Sequence, residues 1–84
     1  MPDESSPVQH AIAMRRVDPD TNVSRFYVLT LERDLFGRFA VTRQWGRAGT
    51  AGRVITEPFE TELEAAEAMG WLAAVKRRRG YVDL

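Results

Sequence analysis

The sequence predicts an α+β domain, a four-stranded antiparallel meander with one C-terminal helix packed on it and room for a fifth strand at the end. Three observations predict it. Apolar and polar residues alternate over residues 8–17 and 38–45, the period of strands that bury one face, and residues 23–31 make a strand-length run that is largely apolar on both faces. Clusters of turn formers separate those runs, at Asp18-Pro19-Asp20-Thr21-Asn22 and at Glu32-Arg33-Asp34-Leu35-Phe36-Gly37. A single stretch beyond Pro58 has helical spacing, a capping signal at its start and a glycine at its end.

The first strand is expected over residues 8–17, with Val8, His10, Ile12 and Met14 on its apolar side. There His10 is read as a core-edge or rim histidine in preference to a functional one. The second, residues 23–31, carries apolar residues on both faces (Phe26, Val28 and Thr30 against Tyr27, Leu29 and Leu31), as a central strand does. Gly37 suits a left-handed position in the next turn, and Leu35 and Phe36 would be exposed there unless they tuck under the sheet. The third strand, residues 38–45, places Phe39, Val41, Arg43 and Trp45 on one face, so Arg43 and Trp45 lie side by side where the core runs out. Residues 53–57 form a short fourth strand that Pro58 is expected to end.

The helix is expected from about Glu62 to Arg78. Thr61-Glu62-Leu63-Glu64 reads as a capping box, in which the Thr61 hydroxyl accepts from the Glu64 amide and the Glu64 carboxylate returns to the Thr61 amide. Leu63, Ala66, Met69, Gly70, Leu72, Ala73 and Lys76 share one broad face, and Gly80 supplies the stop. Trp71 lies off the centre of that face, and either caps the core's edge or marks a second surface. Glu60, Glu62, Glu64 and Glu67 gather at the start of the helix and Lys76, Arg77, Arg78 and Arg79 at its end, which complements the helix dipole. Residues 81–84 add a short strand or tie the helix end to the sheet.

Composition narrows the function. With 84 residues the chain makes one domain, residues 8–84, behind a lead at residues 1–7 that is expected to be disordered. The lead has neither the basic nor the apolar region of a secretory signal, so the expected location is cytoplasmic; separately, a monomer is expected. No apolar run approaches the roughly 20 residues that span a bilayer. There is no cysteine and only one histidine, so neither a metal nor another cofactor is expected. No Ser/His/Asp or Cys/His set is present, and the glycine pattern is not a dinucleotide fingerprint because it runs into a strand, so neither catalysis nor a small-molecule substrate is expected. With 12 basic and 12 acidic residues the net charge is zero, which argues against indiscriminate coating of nucleic acid and confines any such contact to a local cluster.

The informative segment is Arg43-Gln44-Trp45-Gly46-Arg47-Ala48-Gly49-Thr50-Ala51-Gly52. A tryptophan and two arginines flank a glycine-rich turn, which sets a flat π surface beside planar cations, a combination suited to stacking on a sugar or base and pairing with phosphate. The glycines are read first as conformational, Thr50 as a loop pin, and Trp45 equally as a tryptophan that covers the end of the core.

The Trp45-Gly46-Arg47 core with Gly49-Thr50 after it, Arg43 before it, Phe59 and a helix of the right length resembles the WGR domain, over most of the chain from about Val8 to Tyr81. That module occurs in DNA-dependent poly(ADP-ribose) polymerases and in small free-standing bacterial proteins. The resemblance implies that Trp45 lies against the sugar of a terminal nucleotide and that Arg47 contacts a phosphate or a partner. The candidate interface is therefore Trp45, Gly46, Arg47, Arg43 and Arg53, with Lys76, Arg77 and Arg78 if the helix end lies nearby. For Arg43 a solvated strand end is an equal reading, and for the basic run a dipole complement is the simpler one.

Two functions follow. The first is a non-enzymatic module that binds nucleic acid, DNA ends or nicks above all, without base-specific reading since no recognition helix is present. The second is an adaptor that docks a partner protein through an exposed aromatic patch, Trp45 with Trp71 or Leu35 with Phe36. Salt separates them, because phosphate binding weakens steeply as salt rises and an apolar interface does not.

Overall fold

Tyr27, Leu29 and Leu31 give the sheet its covered side. They alternate along one strand, are at most 2% exposed, and meet Met14 and Val41 from the neighbouring strands and Ala65, Met69 and Ala73 from the helix. The computed structural model describes residues 8–84; the expected lead, residues 1–7, lies outside the described residues. Its elements are β1 (Val8–Asp18), β2 (Val23–Arg33), β3 (Phe39–Arg47), β4 (Arg53–Phe59), α1 (Glu62–Arg78) and β5 (Val82–Asp83). The strand order is β4-β3-β2-β1-β5 and each pairing is antiparallel. The two-faced strand β2 is central, and the C-terminal residues do form a fifth strand, Val82 and Asp83 pairing with Arg15 and Met14 of β1.

Three local expectations are corrected. β3 runs two residues further than its alternation indicates, so Trp45, Gly46 and Arg47 belong to the strand and the turn begins after them. β4 does not stop at Pro58 but continues to Phe59, with Pro58 opposite Ala40; β4 is an edge strand, where a missing N–H costs no ladder bond on the open side. The buried stripe of α1 is Ala65, Met69 and Ala73, while Leu63 is 68% exposed and Ala66 and Gly70 are also exposed. Size explains the rotation. Alanines four residues on either side of Met69 let the helix lie close to a sheet whose own side chains are bulky.

The helix ends are fixed by their caps. Thr61 Oγ1 accepts from the Glu64 amide at 3.1 Å, and the Glu64 carboxylate accepts from that same hydroxyl at 3.2 Å. Thr61→Ala is expected to cost about 1 kcal/mol, which a thermal melt would read as a drop of roughly 4–8 °C; Thr61→Ser, which keeps the acceptor, should stay close to the wild type. At the other end Gly80 takes φ +94°, its amide bonds to Arg77 O at 3.1 Å and the Tyr81 amide to Lys76 O at 3.1 Å. This paired closure caps the last carbonyls and turns Tyr81 back, edge-on to Tyr27 with ring centroids 6.2 Å apart.

The connections fall at two ends of the sheet. One end holds the β1–β2 turn, the β3–β4 loop and the end of α1. The other holds the β2–β3 hairpin and the start of α1. In that hairpin Asp34 Oδ1 accepts from the amides of Phe36 and Arg38 at 2.9 and 2.8 Å. Leu35 and Phe36 do not tuck under the sheet; they are 100% and 83% exposed at the tip of this pinned loop.

Candidate nucleic-acid interface

Strand alternation brings the site together. Arg43, Trp45 and Arg47 sit on the helix side of β3, where Trp45 lies between Tyr27 of β2 and Arg53 of β4, and Arg47 lies opposite Arg25. Trp45 is half-buried and packs on the edge of the core. The guanidinium carbons of Arg43 and Arg53 stand 5.7 and 6.0 Å from its ring centroid, within cation–π range. Trp45 therefore covers the end of the core, as one reading of it expected, and its ring also has two cations close by.

The loop beyond Arg47 is built by close approach of backbone. A Cβ on Gly46 would lie 2.9 Å from Gly52 Cα, and one on Gly52, whose φ is +72°, would lie 2.2 Å from Trp45 O. The Thr50 hydroxyl donates to Arg47 O at 2.8 Å, Gln44 Nε2 to Ala51 O at 2.7 Å, and the Ala48 amide to Ser24 O at 2.9 Å. The loop is thus tied to both β2 and β3, and Arg47, itself exposed, projects from a fixed backbone beside the β1–β2 turn. Residues 10–84 match the WGR domain family. The chain belongs to that family.

A 72-residue segment is 36% identical to the uncharacterized protein y4dW of Sinorhizobium fredii (strain NBRC 101917 / NGR234), covering 86% of this chain and 35% of that protein. The chain therefore spans about a third of the length of this relative. No solved structure matches it. The WGR domain is a nucleic-acid-binding module and, taken alone, a non-catalytic one. Among the described residues no helix is long and apolar enough to cross a membrane.

In this WGR domain the end of α1 lies beside the motif. An open groove of about 290 Å³ separates the helix from the end of β3, and it is lined by Tyr27, Arg43, Trp45, Trp71, Leu72, Val75, Lys76 and Arg79. The basic run divides by direction. Lys76 turns inward, its Nζ 4.7 and 5.4 Å from the centroids of Tyr27 and Tyr81. Arg79 lines the groove, whereas Arg77 turns away and is held by Asp83 through a two-pronged pair, both contacts at 2.8 Å. Arg78 is exposed. Lys76 therefore joins the motif, and the guanidinium of Arg77 is already occupied.

Burial lowers the pKa of Lys76 below its ordinary 10.5, and the positive charges of Arg79, Arg43 and Arg25 push the same way. Arg79→Ala is expected to move it part of the way back towards 10.5, read by nitrogen-detected NMR titration of the lysine Nζ. The desolvation contribution stays. An unchanged midpoint would mean that Arg79 is not near enough to be felt.

Two further cations stand here that the motif does not pick out. Arg25 faces Arg47 across β2 and β3, and Arg16 lies against Gly80, where a Cβ would be 3.6 Å from its Nε. Arg25 shares the face of Tyr27, Leu29 and Leu31, so counting back by two from Tyr27 would have found it. Arg16 follows Met14 by two and stands opposite Arg25, so the same count along β1 would have placed it on this face; only its closeness to Gly80 depends on where the helix ends. Among the described residues, none of Arg43, Arg47, Arg53, Lys76 and Arg79 has a carboxylate within ion-pair distance. The zero net charge thus hides an uneven distribution. Glu32, Asp34, Glu60, Glu62 and Glu64 outnumber Arg33 and Arg38 at the hairpin end, whereas around Trp45 the cations outnumber Asp18, Asp20 and Asp83, the last of them held by Arg77.

Proposed function

We propose that this WGR domain is a non-enzymatic module that binds nucleic acid, and that its preferred target is a DNA end or nick. Trp45 stacks against the terminal sugar or base, Arg47 pairs with a phosphate, and Arg43 and Arg53 hold the backbone on either side of the ring. Lys76 extends the cationic surface inward and Arg78 extends it outward. Gly46 contributes by letting the loop close beneath Arg47. Arg77 belongs to the basic run, but its contribution is to tie β5 down while Asp83 holds it. The observation that carries this reading is a tryptophan ring flanked by two guanidinium groups, in a cluster that among the described residues has no carboxylate within ion-pair distance. Unpaired positive charge on a constrained backbone is what a phosphodiester needs, because each phosphate neutralised releases counterions.

The test is an amide chemical-shift titration with a short 5′-phosphorylated duplex, first at low and then at moderate salt. Shifts should concentrate on Trp45, Gly46, Arg47 and residues 76–79 and fade as salt rises, with a log–log slope of roughly −0.9 per phosphate contacted. Arg47→Glu should weaken binding at least about tenfold. A spectrum unmoved at low salt, or an affinity indifferent to that substitution, would sink the proposal.

One observation favours the second reading, a protein-docking adaptor. Leu35 and Phe36 are displayed on a pinned hairpin tip at the far end of β3 from Trp45. Binding through that tip would be insensitive to salt and indifferent to Arg47→Glu, and it would be lost with Phe36→Ser.

A further inference from the structure

Trp71 is 66% exposed on α1, outside the buried stripe, and it contributes nothing to the core cluster. It nevertheless lines the same groove as Trp45, with Leu72 and Val75 on the helix wall, Tyr27 at the back, and Arg43, Lys76 and Arg79 as its cations. On its far side a second cavity continues along the helix to Phe59 and Glu57. Two tryptophans facing one cationic groove is a different arrangement from the single ring that a terminal sugar requires. Base-on-aromatic stacking tolerates any base, and each stacked base adds roughly a factor of 5 to 150 in affinity. Size decides how much the groove can hold. At about 290 Å³ it falls at the small end of ligand sites, room for one nucleotide and not for a run of them.

We propose that the groove between Trp45 and Trp71 receives one unpaired nucleotide, its base against Trp71 and its phosphate held by Arg43, Lys76 and Arg79. This rests on the reading of the motif as a nucleic-acid interface and narrows its target, from an end in general to an end with a short single-stranded extension. The same chemistry is offered by a free nucleoside monophosphate, and the experiment separates the two sources. Glu57 closes the far cavity to further phosphates, so extensions beyond the first unpaired nucleotide add nothing through this groove.

The experiment measures fluorescence anisotropy at low salt with one duplex in three forms: blunt, with a two-nucleotide 3′ extension, and with a two-nucleotide 5′ extension. Adenosine monophosphate serves as competitor. At least one extended form should bind about fivefold or more tighter than the blunt form. In Trp71→Ala the ratio of extended to blunt affinity should fall to about one, and in Trp71→Phe part of it should return. Trp71 is exposed, so both variants should melt near the wild type, and the ratio within each variant cancels any general loss. Equal binding of all three duplexes by the wild type, with no effect of the monophosphate, overturns the inference and leaves the interface reading standing. Displacement by the monophosphate without any preference for extended ends identifies the free nucleotide as the occupant. Failure of every duplex to bind removes the interface reading as well, and the inference with it. A preference for extended ends that survives Trp71→Ala places the nucleotide elsewhere and also overturns it.

Discussion

Gly52→Ala is expected to lower the melting temperature by about 12 °C or more, the largest effect of any single methyl group added to this chain. The position has φ +72°, a region that costs an L-residue about 1–2 kcal/mol. The new Cβ would also lie 2.2 Å from Trp45 O, 2.8 Å from the carbonyl carbon behind it and 2.9 Å from Phe26 Cζ. Two of these are backbone atoms of a paired strand, which no rotamer change relieves. Together the two effects are expected to cost about 3–4 kcal/mol, out of the roughly 5–15 kcal/mol that holds such a domain together. At roughly 4–8 °C per kcal/mol that is the stated shift, read by circular dichroism. Gly70→Ala is the matched control. Gly70 lies inside α1 with nothing within 4 Å of its Cβ position, so alanine there should stabilise by about 0.5–1 kcal/mol. A Gly52→Ala drop below about 3 °C would mean that the loop can shift away from Trp45, against the packing described.

Leu29→Ala should have an effect of similar size, at about 2–5 kcal/mol. Leu29 is 0% exposed at the middle of the central strand and belongs to the core cluster that α1 covers, so the cavity it leaves has rigid walls. Leu35→Ala deletes the same atoms from a side chain that is 100% exposed, and should change stability by less than about 0.5 kcal/mol. Urea denaturation of the pair reads burial alone, since composition is identical. Comparable losses in both would show that the hairpin tip packs against something in solution.

Period two made much of this legible in advance. The sharing of one face by Arg43 and Trp45, the central place of β2 and the meander all follow from alternation, and Thr61 with Gly80 bracketed the helix. The helix's buried side was legible at Met69, Leu72 and Ala73 but misread at its start, because Leu63 outweighs Ala65 on any hydrophobic scale, whereas close packing on a bulky sheet selects the small residue. Gly46 and Arg47 looked like part of the turn because glycine suggests one. Its actual role is to let Gly52 pass at van der Waals distance while the strand continues. The meeting of Lys76 and Arg79 with Trp45 was out of reach, because it depends on where the far end of α1 comes down on the sheet. The pairing of Arg77 with Asp83 was hidden for the same reason, since it needs β5 docked on β1.

The uneven distribution of carboxylates and cations has a kinetic meaning that affinity does not capture. A body with zero formal charge feels no net pull from a distant polyanion, but one with its charges unevenly spread along its length carries an electric moment and feels a torque. Near a phosphate backbone the motif end would be turned inward before contact, so a larger share of collisions would arrive productively oriented. The same moment would turn the carboxylate-rich hairpin end outward, which leaves Leu35 and Phe36 facing the solvent. Stopped-flow association would then slow with added salt more gently than for a cationic protein of this size, because only orientation, and not attraction over distance, is being screened.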